Sequence, residues 1–142
     1  MLKGIDPLLT PELLKILAEM GHGDEIAIVD ANFPAAAIAH RLERINAPGP
    51  RVLAAVLTLM PLDDFVEAPL ASMRVVDAPD EIPKVVREYQ SVANAAERKT
   101  VKLAQLDRFE FYERAKAAFA VVATAETRLY GNALVKKGVI RS

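Results

Sequence analysis

Glu25-Ile26-Ala27-Ile28-Val29-Asp30-Ala31 is a short apolar run that closes on a carboxylate. It is too brief for a buried helix and reads as a buried strand. Upstream, Thr10-Pro11-Glu12 opens a helix. Thr10 caps it, Pro11 sits where a missing N–H is harmless, and Glu12 faces the positive end. Leu13, Leu14, Leu17 and Met20 form its apolar face, and Gly21 or Gly23 is placed to stop it in a left-handed conformation. Downstream, Pro34 starts a second, Ala-rich helix that runs to about Glu43. Arg44 to Pro50 is a loop with room for a short edge strand, and helix returns from Val52 to Met60 before Pro61. Leu70 to Val76 is a strand, Glu81 to Ser91 a helix, and Thr100 to Leu106 an alternating strand. Asp107 caps a helix from Arg108 to Ala118, followed by the buried strand Ala120 to Thr124. A turn over Leu129 to Asn132 leads to a last strand, Ala133 to Val139. This alternation predicts an α/β fold, a central sheet flanked by helices in one domain spanning residues 1–142. No repeat or linker interrupts it, and the pattern leaves the strand order open.

Composition narrows the function. Hydrophobic residues make up 52% of the 142 positions, and the mean hydropathy is +0.17. That is apolar for a small domain, whose surface is large for its volume, so self-association is expected. The net charge is −1, with 18 basic and 19 acidic residues scattered among each other. A nucleic-acid partner would call for a basic face, and none is present. The absence of cysteine excludes disulfides, thiolate metal sites and cysteine nucleophiles. Lys3, Asp6, Glu12, Lys15 and Glu19 break up the first residues, so no signal-peptide core is seen. No run approaches the roughly 18 apolar residues of a membrane span. A cytoplasmic protein without membrane contact is expected.

Four clusters could carry chemistry. Gly21-His22-Gly23-Asp24-Glu25 holds one of two histidines. Glycines leave the backbone around His22 bare for a ligand, and an imidazole exchanges protons near neutrality. A histidine placed at the negative end of a helix is the plainer reading, and a metal bound by His22, Asp24 and Glu25 a poor third. Asp30 stands at the carboxyl end of the first strand, where open α/β sheets gather ligands, or it satisfies free N–H groups of the following helix. Arg108 meets the wrong end of a helix dipole, which calls for a sugar hydroxyl or an ion pair. The neighbouring Phe109, Phe111 and Tyr112 read as core or interface, and Arg114 as a solvated face. Tyr130-Gly131-Asn132 suits a turn, yet the phenol and amide also supply the neutral donor–acceptor pairs a polyol needs. Asp63, Asp64 and His40 read as exposed surface without a role. Phosphate loops, dinucleotide fingerprints, HExxH and GxSxG are all absent.

In order along the chain, Met20-Gly21-His22-Gly23-Asp24-Glu25, Asp30-Ala31-Asn32-Phe33-Pro34, Arg108-Phe109-Glu110-Phe111-Tyr112-Glu113-Arg114 and Tyr130-Gly131-Asn132 resemble the fucose mutarotase and ribose pyranase family. The resemblance extends from Leu2-Lys3-Gly4 to Lys137-Gly138-Val139. The aromatic stretch after Arg108 is similar to the fucose branch. One segment departs: Arg44-Ile45-Asn46-Ala47-Pro48-Gly49 lacks the acidic residue of the branch's Arg-Ala-Asp-Gly. The resemblance implies a compact α/β fold in a ring-shaped homodecamer, with sites near subunit contacts. It implies His22 as proton donor, and Asp30, Arg108, Tyr130, Gly131 and Asn132 as sugar-binding positions. It implies no metal or organic cofactor.

The reaction so implied opens the hemiacetal of L-fucose and recloses it on the other face. One group takes the proton of the anomeric hydroxyl while another protonates the ring oxygen. The expectation gives this transfer to His22, with Asp30 orienting it or holding sugar hydroxyls. Arg108 and Asn132 fix the sugar, and Tyr130 packs on its apolar face or shares the proton. The alternatives are D-ribose pyranase chemistry, a non-catalytic sugar-binding protein, and a metal-dependent isomerase, which would yield a ketose.

Overall fold

In the computed structural model, which describes residues 1–142, the apolar run forms β1 (Glu25–Val29), buried from Ile26 onward. Ahead of it lies α1 (Pro11–Glu19). Then come α2 (Ala35–Ile38), β2 (Leu42–Ile45), α3 (Gly49–Leu57) and β3 (Leu70–Met73). The chain continues through α4 (Lys84–Glu97), β4 (Leu103–Leu106), α5 (Arg108–Ala117), β5 (Ala120–Thr124) and β6 (Ala133–Lys136). The six strands form one sheet in the order β2-β5-β1-β6-β3-β4. β1 runs parallel to β5, β5 to β2, and β3 to β4, while β6 is antiparallel to both its neighbours. Five carboxyl ends therefore open on one edge, the edge from which β6 sets out.

Alternation along β1 explains why both faces are covered. Ile26 and Ile28 join one apolar cluster with Leu13 and Leu17 of α1, Val52, Leu53 and Val56 of α3, and Val86 and Tyr89 of α4. Ala27 and Val29 join the other, with Ala35 of α2 and Phe111 and Ala115 of α5. Parallel strands buried on both sides read as continuous apolar runs, which is the pattern of the opening stretch. No helix is long and apolar enough to cross a membrane.

Several boundaries differ from the sequence expectation. α1 stops at Glu19, and Met20 is extended rather than followed by a glycine cap. The reason is Lys137, whose Nζ donates to the carbonyls of Leu17 and Met20 at 2.7 and 2.6 Å, taking over the carbonyls a glycine cap serves. The Ala-rich helix is four residues long, and the last two residues of its expected span, Leu42 and Glu43, open β2. Parallel pairing of Leu42–Ile45 with Val121–Thr124 overrides helix propensity there. α3 begins at Gly49, and α4 runs on to Glu97. Asp107 precedes α5 without a side-chain capping bond; its carboxylate meets Arg74 at 3.4 Å instead.

Candidate functional site

β1 holds two polar clusters apart. Its five residues, at about 3.3 Å each, put roughly 16 Å between the turn before it and Asp30 after it.

At the amino end lies His22. Gly23 takes φ +88°, the left-handed region open to glycine, and its N–H donates to the Lys137 carbonyl at 2.8 Å. The Gly21 N–H donates to Asp24 at 2.8 Å. This tight turn leaves the His22 side chain 42% exposed. Its Nε2 lies 2.9 Å from Oδ1 of Asp63, which is only 3% exposed. The same Oδ1 accepts the Phe65 N–H at 3.0 Å. Burial opposes ionisation of Asp63, but the bonds from His22 and Phe65 outweigh it and hold its carboxyl below the usual range. An ionised carboxylate only accepts, so Nε2 carries the proton of this hydrogen bond. Asp63, which sequence reasoning placed on the exposed surface, is thus buried and joins the candidate site through His22. Its contact with His22 spans 41 positions, and no local pattern signals it. Asp64 is exposed, as expected, and pairs with Arg141. Within one chain Asp30 does not reach His22, because the two lie at opposite ends of β1.

At the carboxyl end, Asp30, Arg108, Tyr130 and Asn132 line one cleft of about 230 Å³ with Phe33, Met73, Val76 and Tyr112. The Asp30 N–H donates to Oδ1 of Asn132 at 2.9 Å, and its Oδ1 accepts the Asn32 N–H at 3.0 Å. Burial raises the Asp30 pKa despite the N–H groups that face it. Tyr130 is held at φ +61°, a left-handed conformation that a non-glycine residue keeps only where its surroundings impose it. Its hydroxyl accepts the Val76 N–H at 3.2 Å, which leaves the O–H free to donate. Arg108 pairs with no carboxylate, since Asp107 is taken by Arg74; its guanidinium lies 5.0 Å from the Phe109 ring. Phe111 is core, Tyr112 is half-buried in the cleft wall, and Phe109 is exposed. Gly131 is needed for close approach rather than for turn freedom, because a Cβ there would lie 2.8 Å from Cγ of Glu126.

Other expectations change. Arg114 is half-buried and paired with Glu25, not solvated. Asp24 and Glu25 are engaged as described, and no group of three or more His, Cys, Asp or Glu side chains could hold a metal ion.

A bracket of charges supports the cleft. Glu126, 3% exposed, accepts from the N–H and guanidinium of Arg128, which also pairs with Glu88. Arg128 holds the Glu126 carboxyl at about 2, from an ordinary 4.5. The folded value is depressed, so this stabilisation is present above the unfolded value and is lost as pH falls from 4.5 through about 2. Glu126→Gln is expected to lower stability at pH 7 on the order of 2 kcal/mol and to flatten the loss below pH 4.5. Urea unfolding at a series of pH values and one protein concentration checks this.

The profile of the RbsD / FucU transport protein family matches residues 3–140. The chain is 47% identical over 140 residues to the L-fucose mutarotase of Histophilus somni, covering 98% of this chain and 97% of that one. It is 51% identical over 146 residues to the human fucose mutarotase, covering 98% and 94%. Among solved structures, the fucose mutarotase of Streptococcus pneumoniae in complex with L-fucose is 44% identical, with a TM-score of 0.91 over 99% of this chain and all of that one.

Proposed function

The chain belongs to the RbsD / FucU transport protein family, and from that premise we propose that it is an isomerase that interconverts the α and β anomers of L-fucose. The observation that carries the reading is the cleft at the carboxyl edge. It brings together Asp30, Arg108, Tyr130 and Asn132, in a fold similar to that of a fucose mutarotase complexed with L-fucose.

In this reading the Asp30 carboxylate and the Asn132 amide accept and donate to sugar hydroxyls. Arg108, free of any ion pair, supplies fixed donors, and Gly131 lets the loop pass close. His22 is the proton-transfer residue, and Asp63 orients its ring and stabilises the imidazolium that forms. A base takes the proton of the anomeric hydroxyl as the bond from C1 to the ring oxygen breaks, and the ring oxygen gains a proton. Tyr130, with its O–H free, is placed to give that proton. The aldehyde turns about C1–C2, the ring recloses on the other face, and both protons return, so composition is unchanged.

No monosaccharide spans the two ends of β1. The complete site therefore joins the His22 and Asp63 of one copy to the cleft of another. Exposed apolar side chains stand at both ends, Phe65 beside His22 and Val76, Phe109 and Leu129 around the cleft, which supports contact there. The ring of ten copies and the cytoplasmic setting rest on the family resemblance and belong to the same proposal.

Saturation-transfer NMR tests the reaction. Added protein is expected to speed exchange between the α and β signals of L-fucose more than those of D-galactose or D-ribose. Faster exchange of ribose through its furanose signals would make the chain a pyranase, and no effect on any sugar would leave only binding.

A further inference from the structure

Tyr89 is among the largest fully buried side chains, and no step of the proposed reaction uses it. Its ring, carried by α4, packs in the core against α3, a place a phenylalanine would fill as well. The hydroxyl, however, donates to the carbonyl of Gly131 at 2.8 Å. A Cβ on Gly49 would lie 1.8 Å from that hydroxyl oxygen, so the absent side chain of α3's first residue opens the path from α4 to the loop. The carbonyl it reaches stands between Tyr130 and Asn132, the two loop residues of the cleft. One peptide unit earlier, the Tyr130 carbonyl accepts the Asn132 N–H at 2.8 Å. The backbone that carries Tyr130 at φ +61° is therefore tied from below as well as from within. Burial and the carboxylates of Glu126 and Asp30 raise the Tyr89 pKa, so the hydroxyl remains a donor.

We infer that Tyr89 is a positioning residue: its hydroxyl fixes the Gly131 carbonyl so that Tyr130 and Asn132 face the cleft before the sugar arrives. A buried carbonyl deprived of its donor is costly, and a binding loop gains from being held in advance by a supporting shell. The effect on sugar handling rests on the proposed function; the strut itself does not.

The test is Tyr89→Phe in the full chain, with two readings. Without sugar, amide hydrogen exchange over residues 128–134 is expected to quicken about tenfold relative to the parent. With L-fucose, KM is expected to rise about tenfold while kcat is unchanged. A role confined to core stability would lower the melting temperature and leave both readings as in the parent, which overturns the inference. Faster exchange with an unchanged KM overturns the positioning role as well. A parent without L-fucose exchange refutes the proposed function, and the sugar-free reading still decides the strut. If the variant does not fold, the parent decides. Slow exchange of 128–134 without sugar supports the inference, and fast exchange slowed only by L-fucose overturns it.

Discussion

His22→Ala is expected to slow L-fucose anomer exchange by about 10²–10⁴-fold, the usual contribution of a placed acid–base group. Sugar binding should survive, because the proposed sugar contacts come from Asp30, Arg108 and Asn132 of the cleft, which this change leaves in place. The side chain is 42% exposed and its one polar partner is Asp63, so its removal leaves the core untouched. It does leave Asp63 without the histidine bond that helps keep its carboxyl ionised, and the Phe65 N–H and the charge of Lys136 then carry that role. Asp63→Asn should retain part of the activity, since an amide still accepts from Nε2 but no longer stabilises the imidazolium. Saturation transfer on both variants, beside L-fucose binding, checks the pair. Full exchange by His22→Ala contradicts the assignment.

Gly49→Ala carries the largest expected effect on stability. The new Cβ would lie 1.8 Å from the Tyr89 hydroxyl and 2.7 Å from the ring carbon that bears it. The ring cannot swing aside, because it is fully buried and its hydroxyl is bound to Gly131. Overpacking of a tight core typically costs 1–3 kcal/mol, and a contact this short belongs at or above the top of that range. A loss of about 3 kcal/mol corresponds to a melting temperature lower by about 10 °C. Thermal unfolding at matched protein concentration measures it, and a change below about 2 °C would show that the core yields at this point.

The parts of the fold carried by local pattern were legible before the structure. β5 has the expected boundaries, and β1 and α5 differ only at an end. The failures have tertiary causes. The helix expected up to Glu43 gives way to a strand because β5 offers it a parallel partner. The glycine stop after α1 is replaced by the ammonium of Lys137, 117 positions from Met20 in the chain. The site divides in the same way. Asp30, Arg108 and Tyr130 could be singled out because each is odd for its local setting, a carboxylate ending a strand, a cation opening a helix and a phenol in a turn, whereas Asn132 suits its turn and stood out through the resemblance. Asp63 could not, because an aspartate beside a second aspartate reads as surface. Its role depends on β6, whose Lys136 carbonyl accepts the Asp63 N–H at 2.9 Å. Gly49 and Tyr89 were silent for the same reason, since their meaning is a distance between two helices.

The central claim is that one copy supplies His22 and another supplies the cleft. Coexpression of His22→Ala with Asp30→Asn, each expected to lose most of its activity alone, tests it most directly. Random mixing in equal amounts pairs an intact His22 with an intact Asp30 at about one site in four. The account predicts L-fucose anomer exchange at about a quarter of the parent's rate. Mixed assemblies no more active than either variant alone would contradict it and place the whole reaction within one chain.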